Sequence, residues 1–305
     1  LVGARQKDYP TYAVKTLKNL VTKTLAGEYP PNLSALKINI KFKHLRKLRA
    51  DQQQAVQRGL LWKPGSYPAR IEFDGVSYGA KIRLKGDLTD HWSGDDRWSL
   101  RVRLKDGKTI MGMSRFSIQR PSVRKFPDDS LFQTWMLAVG NMAPRHEYTR
   151  IVFNGDSWGI MTLEEHMSRH LVEGNRRKES PLFKIGSESS WVFGISNKKI
   201  NPGIKLPKSY MGRHTLSLYG DRLYADKPAH LAQFSHLVRR YRDALESVAS
   251  PTLHQEKLIE LIDTEGFSLA LLASGIWQNI HGVHFSNMRL YLNPYTLKVE
   301  PVTTD

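Results

Sequence analysis

Two dipeptides, Asp74-Gly75 and Asn154-Gly155, each separate a pair of segments in which apolar and polar residues alternate. Alternation at period two is the signature of a half-buried strand. An Asx-Gly pair supplies the two positive-φ positions that the tightest hairpin turn requires. The two sites therefore predict hairpins, Ala69 to Phe73 with Tyr78 to Leu84, and Tyr148 to Phe153 with Trp158 to Leu163. Leu100, Val102 and Leu104 alternate in the same way before the turn Lys105-Asp106-Gly107. One helix interrupts this sheet: Asp128 or Asp129 caps it, Leu131, Phe132, Trp135, Met136 and Val139 line one face, and Gly140 ends it.

The flanks read differently. A helix from Tyr12 to Leu25 is expected before the breaker Tyr29-Pro30-Pro31, then a strand over Leu36 to Phe42 and a helix over Leu45 to Leu60, closed at Gly59. After the second hairpin, a helix is expected from Leu163 to about Arg177, with Glu164 and Glu165 in its first turn as partners of the helix dipole. Lys184 lies on a short apolar strand, and Ser187 to Lys208 reads as a link. Beyond it the pattern is helical. Ala229 to Val248 is amphipathic, Ser250-Pro251 opens the next helix, and Phe267 to Ile280 is apolar nearly all round and expected in the core. The expected architecture is α+β: an extension at 1–64, a sheet-rich part at 65–190 and a helical part at 191–305, arranged as two lobes around a cleft.

Composition narrows the function. With 40% hydrophobic residues the chain is a folded body, and without cysteine it forms neither disulfides nor thiolate metal sites. No run of eighteen apolar residues is present, so no membrane-spanning helix is expected. The chain starts on Leu, so it is expected to be a piece of a longer protein with a leader or anchor upstream. The net charge is +17, and part of it is concentrated in Lys37, Lys41, Lys43, Arg46, Lys47 and Arg49. Such a block is either a solvated face or a surface for an anionic partner. No interleaved aromatic stacking platform accompanies it, which disfavours single-stranded nucleic acid.

Several residues carry chemistry. Arg83 and Lys85 share one face of their strand, and Arg101 and Arg103 share one face of theirs. If the strands pair, these cations form one surface fit for a triphosphate, unless that surface is simply solvated. Gly86 either lets a backbone approach a ligand or merely ends a strand. Glu164 or Glu165 could pair with a phosphate-binding lysine, for which Lys85 and Lys184 are both candidates. His91 reads as a site histidine or a packed one. Near the end, Asn287 and Asp305 flank a hairpin with an Asn293-Pro294 turn, a pair of hard oxygen ligands suited to Mg²⁺. His281 and His284, with Asp305, alternatively offer a loose Zn²⁺ set. Walker A, Gly-x-Ser-x-Gly and Gly-x-Gly-x-x-Gly motifs are all absent.

Taken together, Arg83-Leu-Lys85-Gly86-Asp87-Leu-Thr-Asp90-His91-Trp92, Trp98 to Val102, Gly112 to Pro121, Asn154-Gly155 to Gly159, Leu163-Glu164-Glu165-His166 and the ending Asn287 to Asp305 resemble the spore-coat protein H (CotH-like) kinase family. The resemblance covers residues 36–305 and runs to the family's Gram-negative branch of large envelope-type proteins. It implies an atypical protein-kinase fold, transfer of the ATP γ-phosphoryl group to Ser/Thr of a protein acceptor with Mg²⁺, and a place in the cell envelope or periplasm. In that comparison Asn287 and Asp305 match the metal ligands and Glu165 the acidic residue of the Leu-Glu-Glu stretch. The chain departs from kinases at Gly282, where a catalytic Asp is usual five residues before the metal Asn. His284 or His281 is then the expected stand-in base. The alternative is a non-catalytic envelope or surface protein that binds an anionic partner through the basic block.

Overall fold

The computed structural model describes residues 33–94, 96–124, 126–186, 215–219, 229, 232, 234–240, 255–283 and 288–304. The expected helix Tyr12 to Leu25, the link Ser187 to Lys208, and the residues His284, Asn287 and Asp305 lie outside the described residues. From Ala35 on, the described residues belong to one compact unit.

The hairpins predicted from Asp74-Gly75 and Asn154-Gly155 both form, with φ of 46° and 75° in one turn and 48° and 90° in the other. They join β2 (Tyr67–Phe73) to β3 (Val76–Leu84), and β6 (His146–Phe153) to β7 (Asp156–Glu165). With β1 (Ala35–Asn39), β4 (Leu100–Leu104) and β5 (Arg115–Gln119) they close into a barrel of order β1-β2-β3-β4-β5-β7-β6. β1 makes the closure by pairing antiparallel with β2 and parallel with β6. The turn residue Asn154 fastens that seam: its Oδ1 accepts from the Ile40 N–H at 2.7 Å, and its Nδ2 donates to the Ile40 carbonyl at 3.1 Å. Closure removes the free edges of the sheet.

Alternation fixes what fills the barrel. Ala80, Ile82 and Leu84, Leu100 and Val102, Phe116 and Ile118, and Met161 and Leu163 are all buried in one cluster with Leu36, Ile38 and Ile71. Helix α1 (Phe42–Arg58) packs Leu48 and Ala55 against this body and ends on Gly59 at φ 67°, a left-handed cap that glycine adopts without Cβ strain.

The mixed α+β class and the sheet-rich first part are as expected. The expectation of a kinase-like fold is corrected here, because the sheet closes into a seven-stranded barrel. The physical reason is β1, which pairs with both edges. The expected helix from Leu163 to Arg177 is corrected too. Leu163, Glu164 and Glu165 continue β7 and pair with β5 and β6. Only Arg169–Gly174 is helical (α3, after α2 at Asp128–Ala138), and the Ser168 hydroxyl caps it by accepting from the Leu171 N–H.

The expected helix Ala229 to Val248 is described only at 229, 232 and 234–240, where it is helical, and the second part also carries strands. It contains an antiparallel sheet of order β11-β10-β8-β9, built from β8 (Leu182–Gly186), β9 (Thr215–Tyr219), β10 (Arg289–Leu292) and β11 (Val299–Val302). With it stand α4 (Gln255–Leu261), α5 (Thr264–Ile276) and the short α6 (Ile280–Val283). α5 is not enclosed on all sides. Ala270 and Ala273 pack on Phe132 and Met136 of α2, whereas Leu271, Leu272 and Ile276 are 55–66% exposed.

Candidate functional site

The register of the barrel assembles the site. Arg83 stands opposite Arg101, Arg101 opposite Ser117, Ser117 opposite Glu164, and Glu164 opposite His146. Because Ile82, Leu84, Val102 and Ile118 point into the barrel, this row points outward. The sequence expectation that Arg83, Lys85, Arg101 and Arg103 share one sheet face follows directly from the β3–β4 pairing.

At the head of the face is a buried ion pair. Lys85 Nζ donates to Glu164 Oε2 at 2.5 Å and to Gln119 Oε1 at 2.8 Å, and Gln119 Nε2 donates to the same Glu164 oxygen at 2.9 Å. Lys85, Gln119 and Glu164 are each less than 10% exposed. The lysine spans β4 to reach β5 and β7, and the residue beside it is the small Ser99, just before β4, whose carbonyl accepts from the Lys85 N–H. In so enclosed a place the charges are weakly screened and mutually dependent.

Glu165, the acid expected to orient a phosphate-binding lysine, serves Arg145 instead. The guanidinium meets both carboxylate oxygens, Nε to Oε2 at 2.9 Å and NH2 to Oε1 at 2.8 Å. It is Glu164 that pairs with Lys85. Strand parity separates the two: Glu164 shares the outward face with Thr162, and Glu165 falls on the side of Leu163. Reading the pair as a helix start concealed that signal.

Arg101 is the unusual member. Its Nε is enclosed and has no hydrogen-bond partner. Burial, with help from Arg83 and Arg289 and against the pull of Glu164, lowers its pKa to about 10. Burial likewise lowers Arg83, with Asp87 opposing. Next to them His166 is held well below its ordinary value, chiefly by burial and then by the Arg101 charge, so its ring is neutral near pH 7. A half-enclosed guanidinium lacking a carboxylate partner is a cation prepared for an anion.

The second sheet supplies the other wall. The Tyr219 ring meets His166 edge-on at 5.9 Å between centroids, and the Arg289 guanidinium lies 5.8 Å from the Tyr219 ring. The pairings Leu290 to Phe183 and Lys184 to Ser217 place Lys184 beside Arg289, on the face that carries Tyr219. Of the expected phosphate ligands, Arg83, Lys85 and Arg101 are therefore together on the barrel face, and Lys184 is on the second sheet. Arg289, Tyr219, Gln119 and His166 were not anticipated as site residues. The His166 position was legible from the Glu164 parity, since it continues the same outward face past the strand end.

Two candidates resolve into packing. A Cβ on Gly86 would lie 2.0 Å from the His91 ring, so the close approach there belongs to His91 rather than to a ligand. His91 Nδ1 in turn contacts the Ser99 hydroxyl at 2.9 Å, and the buried Trp92 donates its indole N–H to the Gly86 carbonyl.

At the other end of the chain, His281 lies in α6. A Cβ on Gly282 would lie 2.4 Å from the Thr304 carbonyl oxygen, so no side chain fits at that position unless the chain shifts. The same contact sets the chain around His281 against the strand that leads to Asp305. Among the described residues no group of three or more His, Cys, Asp or Glu could hold a metal ion. No helix among them is long and apolar enough to cross a membrane. The chain matches no protein-family model and no curated protein.

Proposed function

We propose that this chain is a CotH-like phosphotransferase that moves the γ-phosphoryl group of ATP to Ser/Thr of a protein acceptor with Mg²⁺. The observation that carries the reading is the buried Lys85–Glu164 pair beside the unpartnered Arg101. Kinase chemistry uses a lysine fixed by a glutamate to hold nucleotide phosphates, and catalysis rests on positioning and charge more than on covalent steps. Glu164 and Gln119 hold the Lys85 ammonium in one place, and Arg83 and Arg101 add positive charge along the same face. Asn287 and Asp305 are the residues that would hold Mg²⁺, which when bound neutralises charge on the phosphates. His281 or His284 accepts the acceptor hydroxyl proton. Because the barrel departs from a kinase fold, the reading rests on the site and not on architecture.

Calorimetric titration of ATP with and without Mg²⁺ tests it. Mg²⁺-dependent binding that Lys85→Ala abolishes is the expected result; binding indifferent to Lys85 overturns the assignment.

A second reading, a non-catalytic protein holding an anionic partner, is favoured by α1. Lys41, Lys43, Arg46, Lys47 and Arg49 are exposed there, and Asp51 turns away to accept from the Gly65 N–H and the Tyr67 hydroxyl. Binding of that kind weakens steeply with salt and ignores Mg²⁺.

A further inference from the structure

Below the phosphate row lies a second row of cations that the proposed chemistry does not use. Lys81 stands directly opposite Arg103, and Arg103 directly opposite Arg115, on the outward face of β3, β4 and β5. Lys81 and Arg103 are exposed, and among the described residues no carboxylate pairs with any of the three. Lys105, also exposed, lies over Gly79 and extends the positive surface. Directly opposed strand residues are about 5 Å apart, and like charges in that position destabilise the sheet. The strain shows at Arg115, whose pKa is lowered by burial and by Arg103.

We infer that this row binds an acidic polypeptide segment and so sets the class of acceptor presented to the neighbouring site. The inference rests on the phosphotransfer reading for its purpose, but not for its physics. Carboxylates lying over Lys81, Arg103 and Arg115 offset the mutual repulsion of the row, which then adjoins Arg83 and Arg101 without a break in register. The outward positions of β3, β4 and β5 carry no aromatic residue, so bases of a single-stranded nucleic acid have nothing to stack on there.

The test uses the full chain and a fluorescent peptide of alternating Glu and Ser, without nucleotide. Arg103→Glu should weaken peptide binding at least roughly tenfold, since it turns an attractive contact into a repulsive one. The same variant should unfold at a higher denaturant concentration, because it relieves repulsion from Lys81 and Arg115. A purely structural role for Arg103 does not produce those opposite changes. Unchanged peptide affinity in Arg103→Glu overturns the inference, as does tighter binding of an oligothymidylate than of the peptide at this row. Mg²⁺-ATP titrated into the wild type separates the two readings: if ATP fails to bind while peptide binding still depends on Arg103, phosphotransfer falls and the acidic-segment row stands.

Discussion

Lys85 Nζ lies 2.5 Å from Glu164 Oε2, although two further strands of the barrel separate β3 from β7. The lysine thus braces the outer face crosswise and presents a fixed charge there. Its dependence on Glu164 is the first thing to measure. Glu164→Gln leaves a buried ammonium without its counter-charge and should cost roughly 3–5 kcal/mol of stability. The denaturant midpoint should fall accordingly, and ATP affinity should fall with it.

Arg101 should behave in the opposite sense. Its guanidinium is enclosed with Nε unsatisfied, so the folded state carries a desolvated charge that the unfolded chain solvates. Arg101→Leu should leave stability unchanged or raise it by about 1 kcal/mol, while ATP binding is lost. Denaturant titration and calorimetry on the one variant check both halves.

The neutral His166 predicts a pH dependence. Its folded pKa is well below 6.5, whereas the unfolded chain takes up its proton near 6.5. Below pH 6.5 the unfolded state binds more protons, so this contribution to stability is present above 6.5 and is lost as pH falls toward the folded value. Lys85, Arg101 and Arg115 oppose protonation of the ring, and Glu164 favours it. Urea midpoints at pH 7.5 and 5.5 should differ less in His166→Phe than in the wild type.

Gly282→Ala tests the packing of Gly282 on Thr304. The added methyl meets the Thr304 carbonyl, so the contact must open, at a cost of about 1–3 kcal/mol. Mg²⁺-dependent ATP binding should weaken, whereas peptide binding that depends on Arg103 should not change.

The hairpins, and with them the cationic face, were legible because Asx-Gly turns and period-two alternation are local properties of the chain. Barrel closure was not. Leu36 and Ile38 read as a strand, but nothing in their pattern says that the partners include Ile151 and Phe153. The two glutamates show how a local rule misleads. Leu163-Glu164-Glu165 has the composition of a helix start, yet its backbone bonds go to β5 and β6, and only strand parity then assigns Lys85 to one acid and Arg145 to the other. The exposed side of α5 has a similar cause, since an apolar composition does not state how much cover its neighbours provide.

The seam between β1 and β6 also governs how the chain reaches this state. β1 emerges before the rest of the barrel, and Ile40 must wait for Asn154, 114 residues later, before its backbone groups are satisfied. Until then both margins of the sheet are open to pairing with other chains. Contacts of such long range make folding slow and expose it to misassembly. The clasp on β1 is thus a checkpoint in time as well as a joint in space: once it shuts, the chain passes from a sticky intermediate to a closed wall.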